Sequence, residues 1–326
     1  MKWGIMATGK IASNFAKTIR AMASPDEELI AVGSRNAESA GRFAAEYDIP
    51  VCYASYEELV SDPQVEAVYI ATPNHLHYEN CLLCLEAGKH VLCEKPLTTD
   101  AGLAASLYEL SEKKGLFLME AFWIRFLPLY EKLGELLGSG SLGAVRHVRA
   151  EYGFIAEGAR RTRKFRSELG GGALLDIGIY NLGFLYYVTG QIPTAFTSHV
   201  HMNEFGTDDY SVVQMEYADG STAHSLQAIG LQVPRRAAII CEKGMICLDD
   251  FQCAEKMTVQ PNGEDPYEIS CPFEVNGYEY EIREATACIR ANKCRSDRFT
   301  PEDSLKVLRL MDDIRESWGM KFTFEG

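Results

Sequence analysis

Lys95, Asp176 and Tyr180 are residues whose types and settings suit proton transfer at a hydroxyl group. Lys95 stands in Cys93–Pro96, CEKP, where an apolar run ends and a proline stiffens the turn. A lysine held there can lower a neighbour's pKa by its charge and hydrogen-bond a reacting oxygen. In Arg166–Tyr180, RSELGGGALLDIGIY, three glycines bring the main chain close to something, and Asp176 and Tyr180 follow four apart, on one face of a helix. A tyrosine made more acidic by a cation such as Lys95 can exchange a hydroxyl proton as a hydride moves, while an aspartate orients that hydroxyl. Taken singly, each has a plainer reading: an exposed Glu94–Lys95 pair, a packed tyrosine, a helix cap.

A second set of residues suits a dinucleotide. KWGIMATGKIA, Lys2–Ala12, reads as a strand running into a helix through Ala7, Thr8, Gly9, Lys10 and Ile11. Such a turn lets the main chain approach a pyrophosphate, and the helix start supplies unpaired amides and a favourable dipole. Of the three glycines such turns usually carry, only the middle one, Gly9, is present. Ala7 departs from the pattern and narrows the turn. The second strand ends in Ser34 and Arg35 where an NAD site usually has an acid. A hydroxyl and a planar cation suit a 2′-phosphate, which favours NADP(H) and leaves NAD(H) possible. Thr72, Pro73 and Asn74 follow another strand end, with Asn74 placed to cap the next helix. His75 and His77 are two apart and point different ways on a helix, so no metal site is expected. Trp123 and Arg125 sit at the junction of the two halves. RRTRKFR gathers Arg160, Arg161, Arg163, Lys164 and Arg166 beside the glycine run, as a loop for phosphate or polar substrate, or simply as a solvated loop.

The elements that must position these residues follow from pattern. Through about residue 119, short β-rich runs (KWGIM, ELIAVGS, VEAVYIAT, HVLCEK, GLFLME) alternate with helical stretches near 9–20, 37–46, 75–87 and 99–114. That alternation predicts a mostly parallel, Rossmann-like sheet covered on both faces, with ligands at the strands' carboxyl ends. Beyond Pro128 a helix near 129–137 gives way to long strand-like runs with hairpin signals at Asp219-Gly220 and Lys243-Gly244, and helices return near 280–290 and 301–318. The fold class is therefore α/β: a dinucleotide-binding domain over 1–121, then an α+β domain over 122–326 built on a largely antiparallel open sheet. The last helix is free to pack back on the first domain. A sheet face left uncovered by its own helices favours a homodimer.

Composition narrows the function classes. A net charge of −14 disfavours general nucleic-acid or anionic-membrane binding. The ten cysteines are scattered through apolar segments, and Cys81 and Cys84 read as buried thiols inside a helix. No apolar run is long enough to span a membrane, and a reduced, cytoplasmic protein is expected.

GIMATGKIA, TPNHLHYE, CEKPLT and GGALLDIGIY, in that order, resemble the glucose-fructose oxidoreductase, inositol dehydrogenase and rhizopine-catabolism oxidoreductase family (Gfo/Idh/MocA) over essentially the whole chain. MEAFWIRFLP is similar to the branch with dimeric dihydrodiol dehydrogenases and NADP-dependent xylose dehydrogenases. The resemblance implies a nicotinamide-dependent dehydrogenase acting on a sugar, polyol or cyclic diol, with Tyr180 as acid/base, Lys95 assisting and Asp176 orienting substrate. It implies cofactor contacts from Ala7, Thr8, Gly9, Lys10, Ile11, Ser34, Arg35, Thr72, Pro73, Asn74, His77, Glu94, Lys95, Trp123 and Arg125, and substrate contacts from Lys95, Arg163, Asp176 and Tyr180. It further implies a dimer through the second-domain sheet. The alternatives are a cofactor-retaining glycosidase or lyase of the same fold, and a dinucleotide-sensing protein without catalysis.

Overall fold

Apolar runs too short for helices make the first sheet. In the computed structural model, which describes residues 1–324 and the main chain alone for 159–161, β1 (Lys2–Met6) leads into α1 (Lys10–Met22) and β2 (Glu28–Gly33) into α2 (Ala37–Tyr47). β3 (Val51–Tyr53), α3 (Tyr56–Ser61), β4 (Ala67–Ile70), α4 (His77–Glu86), β5 (His90–Glu94), α5 (Ala101–Lys114) and β6 (Leu118–Ala121) follow. The strands stand in the order β3-β2-β1-β4-β5-β6, and all their pairings are parallel. β4 (AVYI) and β6 (LMEA) are buried at every residue, as strands covered on both faces must be. Side chains fix several helix starts: Asn36 accepts the Ser39 amide, Ser55 the Glu58 amide and Asp100 the Leu103 amide. Between β1 and β4 the strand order reverses, and in such sheets ligands bind at the carboxyl ends there.

The second sheet is larger and mixed. α6 (Pro128–Gly138), β7 (Val145–Ile155), α7 (Ala159–Lys164) and α8 (Ile179–Thr189) precede β8 (Ala195–Met202), β9 (Asp208–Glu216), β10 (Thr222–Ala228), β11 (Gly230–Cys241), β12 (Gly244–Asp249), β13 (Lys256–Pro261) and β14 (Tyr267–Ser270). Their order is β14-β13-β12-β11-β7-β10-β9-β8, antiparallel throughout except for β7 with β10. The expected hairpins close at Gly220, φ 82°, and between Cys241 and Gly244. α8 lies against β7 and β10 and is buried from Ile179 through Leu185.

The chain divides differently from a simple cut after residue 121. The first compact unit holds residues 1–126 together with 274–305, and the second holds 127–273 and the described residues from 306 onward. α9 (Tyr278–Arg290) returns to the first unit, where it packs on α1 and on the turn after β6. Trp123 stacks on Tyr278 with ring centroids 4.9 Å apart, Arg125 donates to the Arg298 carbonyl at 2.8 Å, and Asn276 donates to Thr18 of α1 at 2.9 Å. α10 (Pro301–Ser317) begins in the first unit and passes into the second at Lys306.

Candidate active site

In the first unit the candidate residues gather at strand ends. Gly9 caps α1 in an extended conformation, and a Cβ added there would meet nothing within 4 Å. The first turn of α1 carries no acid, so its amides and the helix dipole present uncompensated positive character. Ala7 adopts φ 91°, in the left-handed region that favours glycine, while its amide donates to the Gly33 carbonyl at 2.9 Å. The alanine has kept the backbone shape of a glycine turn at a cost of about 1–3 kcal/mol. An open main-chain surface at a dipole-bearing helix start fits a dinucleotide pyrophosphate.

At the end of β2, Ser34 is buried and its hydroxyl accepts the Asn36 amide, while Arg35 is exposed and hydrogen-bonds Tyr56 of α3. At the end of β4, the Thr72 hydroxyl accepts from Asn80 at 2.9 Å. Asn74 does not cap α4. It opens a 3-10 turn, Asn74–Leu76, after Pro73, and Leu76 takes the cap position because the chain tightens before the α-helix begins. His77, expected among the cofactor contacts, is fully buried, with one ring nitrogen 2.7 Å from the Pro96 carbonyl and the other 2.8 Å from the Thr72 carbonyl. The ring lies between two strand ends, and in its neutral form its single N–H is donated to one of these carbonyls, as the tautomer dictates. Burial pushes the ring down to about 4 against the opposing pull of those carbonyls.

Lys95 follows directly on β5, half-buried, and Glu94 before it is buried and accepts the Tyr69 hydroxyl. Burial raises the Glu94 carboxyl. Two further acids lie near it that sequence reasoning missed. Glu281 of α9 is fully buried with neither oxygen hydrogen-bonded, and burial, then the charge of Glu94, push it well above the carboxylate range. Glu120 of β6 is buried and accepts the Leu97 amide. The available signal was a lone acid inside an apolar strand, LMEA.

In the second unit Asp176 and Tyr180 straddle the start of α8. Asp176 lies in a π-helical turn, Leu174–Gly178, and Tyr180 in the α-helix that continues it, nearly buried and 6.4 Å from the Tyr152 ring. Such wide turns recur at functional sites. The glycines before them make room for the chain itself. A Cβ on Gly171 would meet the Lys164 carbonyl oxygen at 2.4 Å, and the Gly172 amide donates to that oxygen at 2.7 Å. Lys164 in turn forms an ion pair with Asp176 and lies 5.2 Å above the Phe154 ring. Asp208, another missed residue, is buried, accepts the Leu174 amide at 2.9 Å and the Ser211 hydroxyl at 3.0 Å, and so anchors the helix start. Burial lifts its carboxyl to about 6.

Of the basic run, Arg163 is exposed, Arg166 pairs with Glu168 at 2.8 Å and covers the Phe205 ring, and the side chains of Arg160 and Arg161 lie outside the described residues. Cys81 and Cys84 are buried free thiols. Among the described residues no cluster of three or more His, Cys, Asp or Glu is arranged to hold a metal, and no helix is long and apolar enough to cross a membrane.

A six-stranded parallel sheet with an open glycine at its first helix, joined in one chain to a mixed, mostly antiparallel sheet, defines a two-domain oxidoreductase of Rossmann type. Residues 1–122 match the oxidoreductase family with NAD-binding Rossmann fold, and residues 130–247 match the GFO/IDH/MocA C-terminal domain. The chain belongs to the Gfo/Idh/MocA family. It is 33% identical over 328 residues to trans-1,2-dihydrobenzene-1,2-diol dehydrogenase of Xenopus laevis, covering 98% of this chain and 99% of that one. It is 34% identical over 330 residues to the mouse protein of the same name, covering 99% and 98%. Among solved structures it resembles an aldose-aldose oxidoreductase from Caulobacter crescentus complexed with glycerol (TM-score 0.87, 27% identity, 97% of each chain). It also resembles a 3-ketoreductase from Actinomadura kijaniata in complex with TDP-benzene and NADP (TM-score 0.83, 25% identity, 97% of this chain and 96% of that one).

Proposed function

We propose that the protein is an NADP-dependent dehydrogenase that interconverts a secondary hydroxyl and a carbonyl on a sugar, polyol or cyclic diol. The observation that carries this reading is the full-length similarity to dihydrodiol dehydrogenases, combined with a lysine at the end of β5 and a tyrosine at the start of α8. The bound nicotinamide supplies the hydride acceptor in oxidation and the donor in reduction. Ala7–Ile11 and the first turn of α1 hold the pyrophosphate, and Ser34 and Arg35 receive the 2′-phosphate. Thr72, Pro73, Asn74, Glu94, Trp123 and Arg125 border the dinucleotide, and His77 lies against the Thr72 and Pro96 carbonyls beside them.

In oxidation Tyr180 accepts the substrate hydroxyl proton, and in reduction it returns it. The ammonium of Lys95 favours the phenolate and hydrogen-bonds the reacting oxygen. Asp176, steadied by Lys164, orients the substrate, Arg163 contributes a polar contact, and the half-buried rings of Tyr152 and Phe154 suit the flat face of a cyclic substrate. The eight-stranded sheet serves a homodimer, measurable by sedimentation, and ten thiols free of disulfides support a cytoplasmic setting.

The test of cofactor choice is fluorescence titration of the cofactor-stripped protein with NADPH and NADH. Replacing Arg35 by alanine is expected to weaken NADPH by about tenfold or more, the worth of a charged hydrogen bond, and to leave NADH unchanged. An equal loss for both cofactors removes Arg35 as the phosphate reader. Absence of binding to either overturns the dehydrogenase reading.

A further inference from the structure

Glu120 is 1% exposed and carries a carboxyl group where an apolar side chain would be cheaper. It pairs with Cys93 across β5 and β6, while Glu94 pairs with Ala121. Side chains alternate along a strand, so Glu94 and Glu120 leave the sheet on opposite faces, with Lys95 just past the end of β5. The charge of Lys95 acts on both carboxyls.

Both oxygens of Glu120 are engaged. One accepts the Leu97 amide at 3.0 Å, two residues beyond Lys95, and the other accepts the Ser304 hydroxyl from α10. Ser304 is itself hydrogen-bonded with Tyr108 of α5. Tyr108, Ser304 and Glu120 thus form a buried chain ending on the turn that presents Lys95. We propose that Glu120 is a positioning residue for the reaction, holding the Lys95–Leu97 turn and supplying the counter-charge that keeps the ammonium aimed at the substrate oxygen. This rests on the dehydrogenase reading above.

The clamp is sensitive to pH. Burial pushes Glu120 up to about 7, opposed by Ser304, the Leu97 amide and Lys95, and reinforced by Glu94. The other titratable neighbours are Tyr108 and Cys93, both held well above their ordinary values by burial and therefore neutral here. Below pH about 7 Glu120 takes up a proton and its counter-charge is lost. Turnover is expected to fall toward acid with a midpoint near 7.

Glu120→Gln keeps the size and an acceptor for Leu97 but mimics the protonated state at every pH. The expected result at pH 8 is about a tenfold lower kcat with NADPH affinity within about threefold, a profile flat from pH 6 to 8, and a wild-type rate that approaches the variant's at pH 6. An independent readout is the Leu97 amide resonance of the cofactor-free protein. It should titrate near pH 7 in the wild type and stay still in the glutamine variant. An unchanged kcat and acidic limb in the variant overturns the proposal, as does a wild-type Leu97 amide that does not move near pH 7. Parallel loss of NADPH binding and turnover would make Glu120 merely structural and overturns it too. A wild type that binds NADPH but turns over no sugar, polyol or diol sinks the dehydrogenase reading itself, and this inference with it.

Discussion

The two units deliver their candidate residues by different devices. In the first, Ser34, Thr72 and Glu94 are carried to the carboxyl ends of parallel strands, so the hydrogen-bonded sheet fixes their heights. In the second, Asp176 and Tyr180 ride on a widened helical turn, and the turn is fastened by groups outside it: Asp208 on the Leu174 amide, and the Lys164 carbonyl on Gly172. A strand end is set by a ladder of many bonds, whereas a helix start of this kind hangs on a few. The second arrangement should therefore be the more fragile to single substitutions away from the chemistry.

The largest expected effects test whether both devices serve one reaction. Lys95→Ala and Tyr180→Phe should each lower kcat by about 100-fold or more, with NADPH affinity retained in a fluorescence titration. Near-normal turnover in both would leave the two units without a shared chemistry. Next in size is the fastening of α8. Because the Asp208 carboxyl titrates near 6 in the fold against an ordinary 3.8, the folded chain binds its proton more tightly than the unfolded one. Its contribution to stability must then fall as pH rises from about 4 to 6, by about 3 kcal/mol, and stay level above that. Denaturant titrations across that range should show the fall shrinking by this amount in Asp208→Asn; an unchanged slope would mean the carboxyl is not held as described. The smallest effect belongs to the first unit. Ala7→Gly removes the penalty of φ 91° and should stabilise the protein by about 1 kcal/mol in the same titrations, despite the added freedom of the unfolded chain. Destabilisation instead would show that the turn is not strained.

This contrast also governs how much could be read from the residues alone. The alternation of short apolar runs with helical stretches was enough to place Thr8, Ser34, Thr72 and Glu94 at strand ends, because a parallel sheet writes its strands as local pattern. Even there β3 escaped, since VCY is only three residues long and half-exposed. Asp208, in NEFGTDDYS, reads as a turn acid; what makes it an anchor is the Leu174 amide, 34 residues earlier. The three glycines pointed correctly to a close approach, but the approaching partner is Lys164 of the same chain. Likewise the acids of YEYEIREAT suggest a surface helix, yet Glu279 and Glu281 of α9 are fully buried and the segment belongs with the first unit. Hydrophobic periodicity shows that a helix has a buried face, not which sheet that face will cover.

The return of residues 274–305 to the first unit bears on how the protein is made. α9 packs on α1, Asn276 meets Thr18, and Tyr278 lies on Trp123, so the first unit is completed by a segment synthesised long after its own sheet. At ~5–20 residues per second, a ribosome needs on the order of ten seconds or more to travel from residue 126 to residue 305. Throughout that interval the nascent sheet lacks its closing helix while the whole second unit is threaded out between them. Until α9 has been synthesised, α1 and Trp123 are therefore without the partners that cover them in the finished unit.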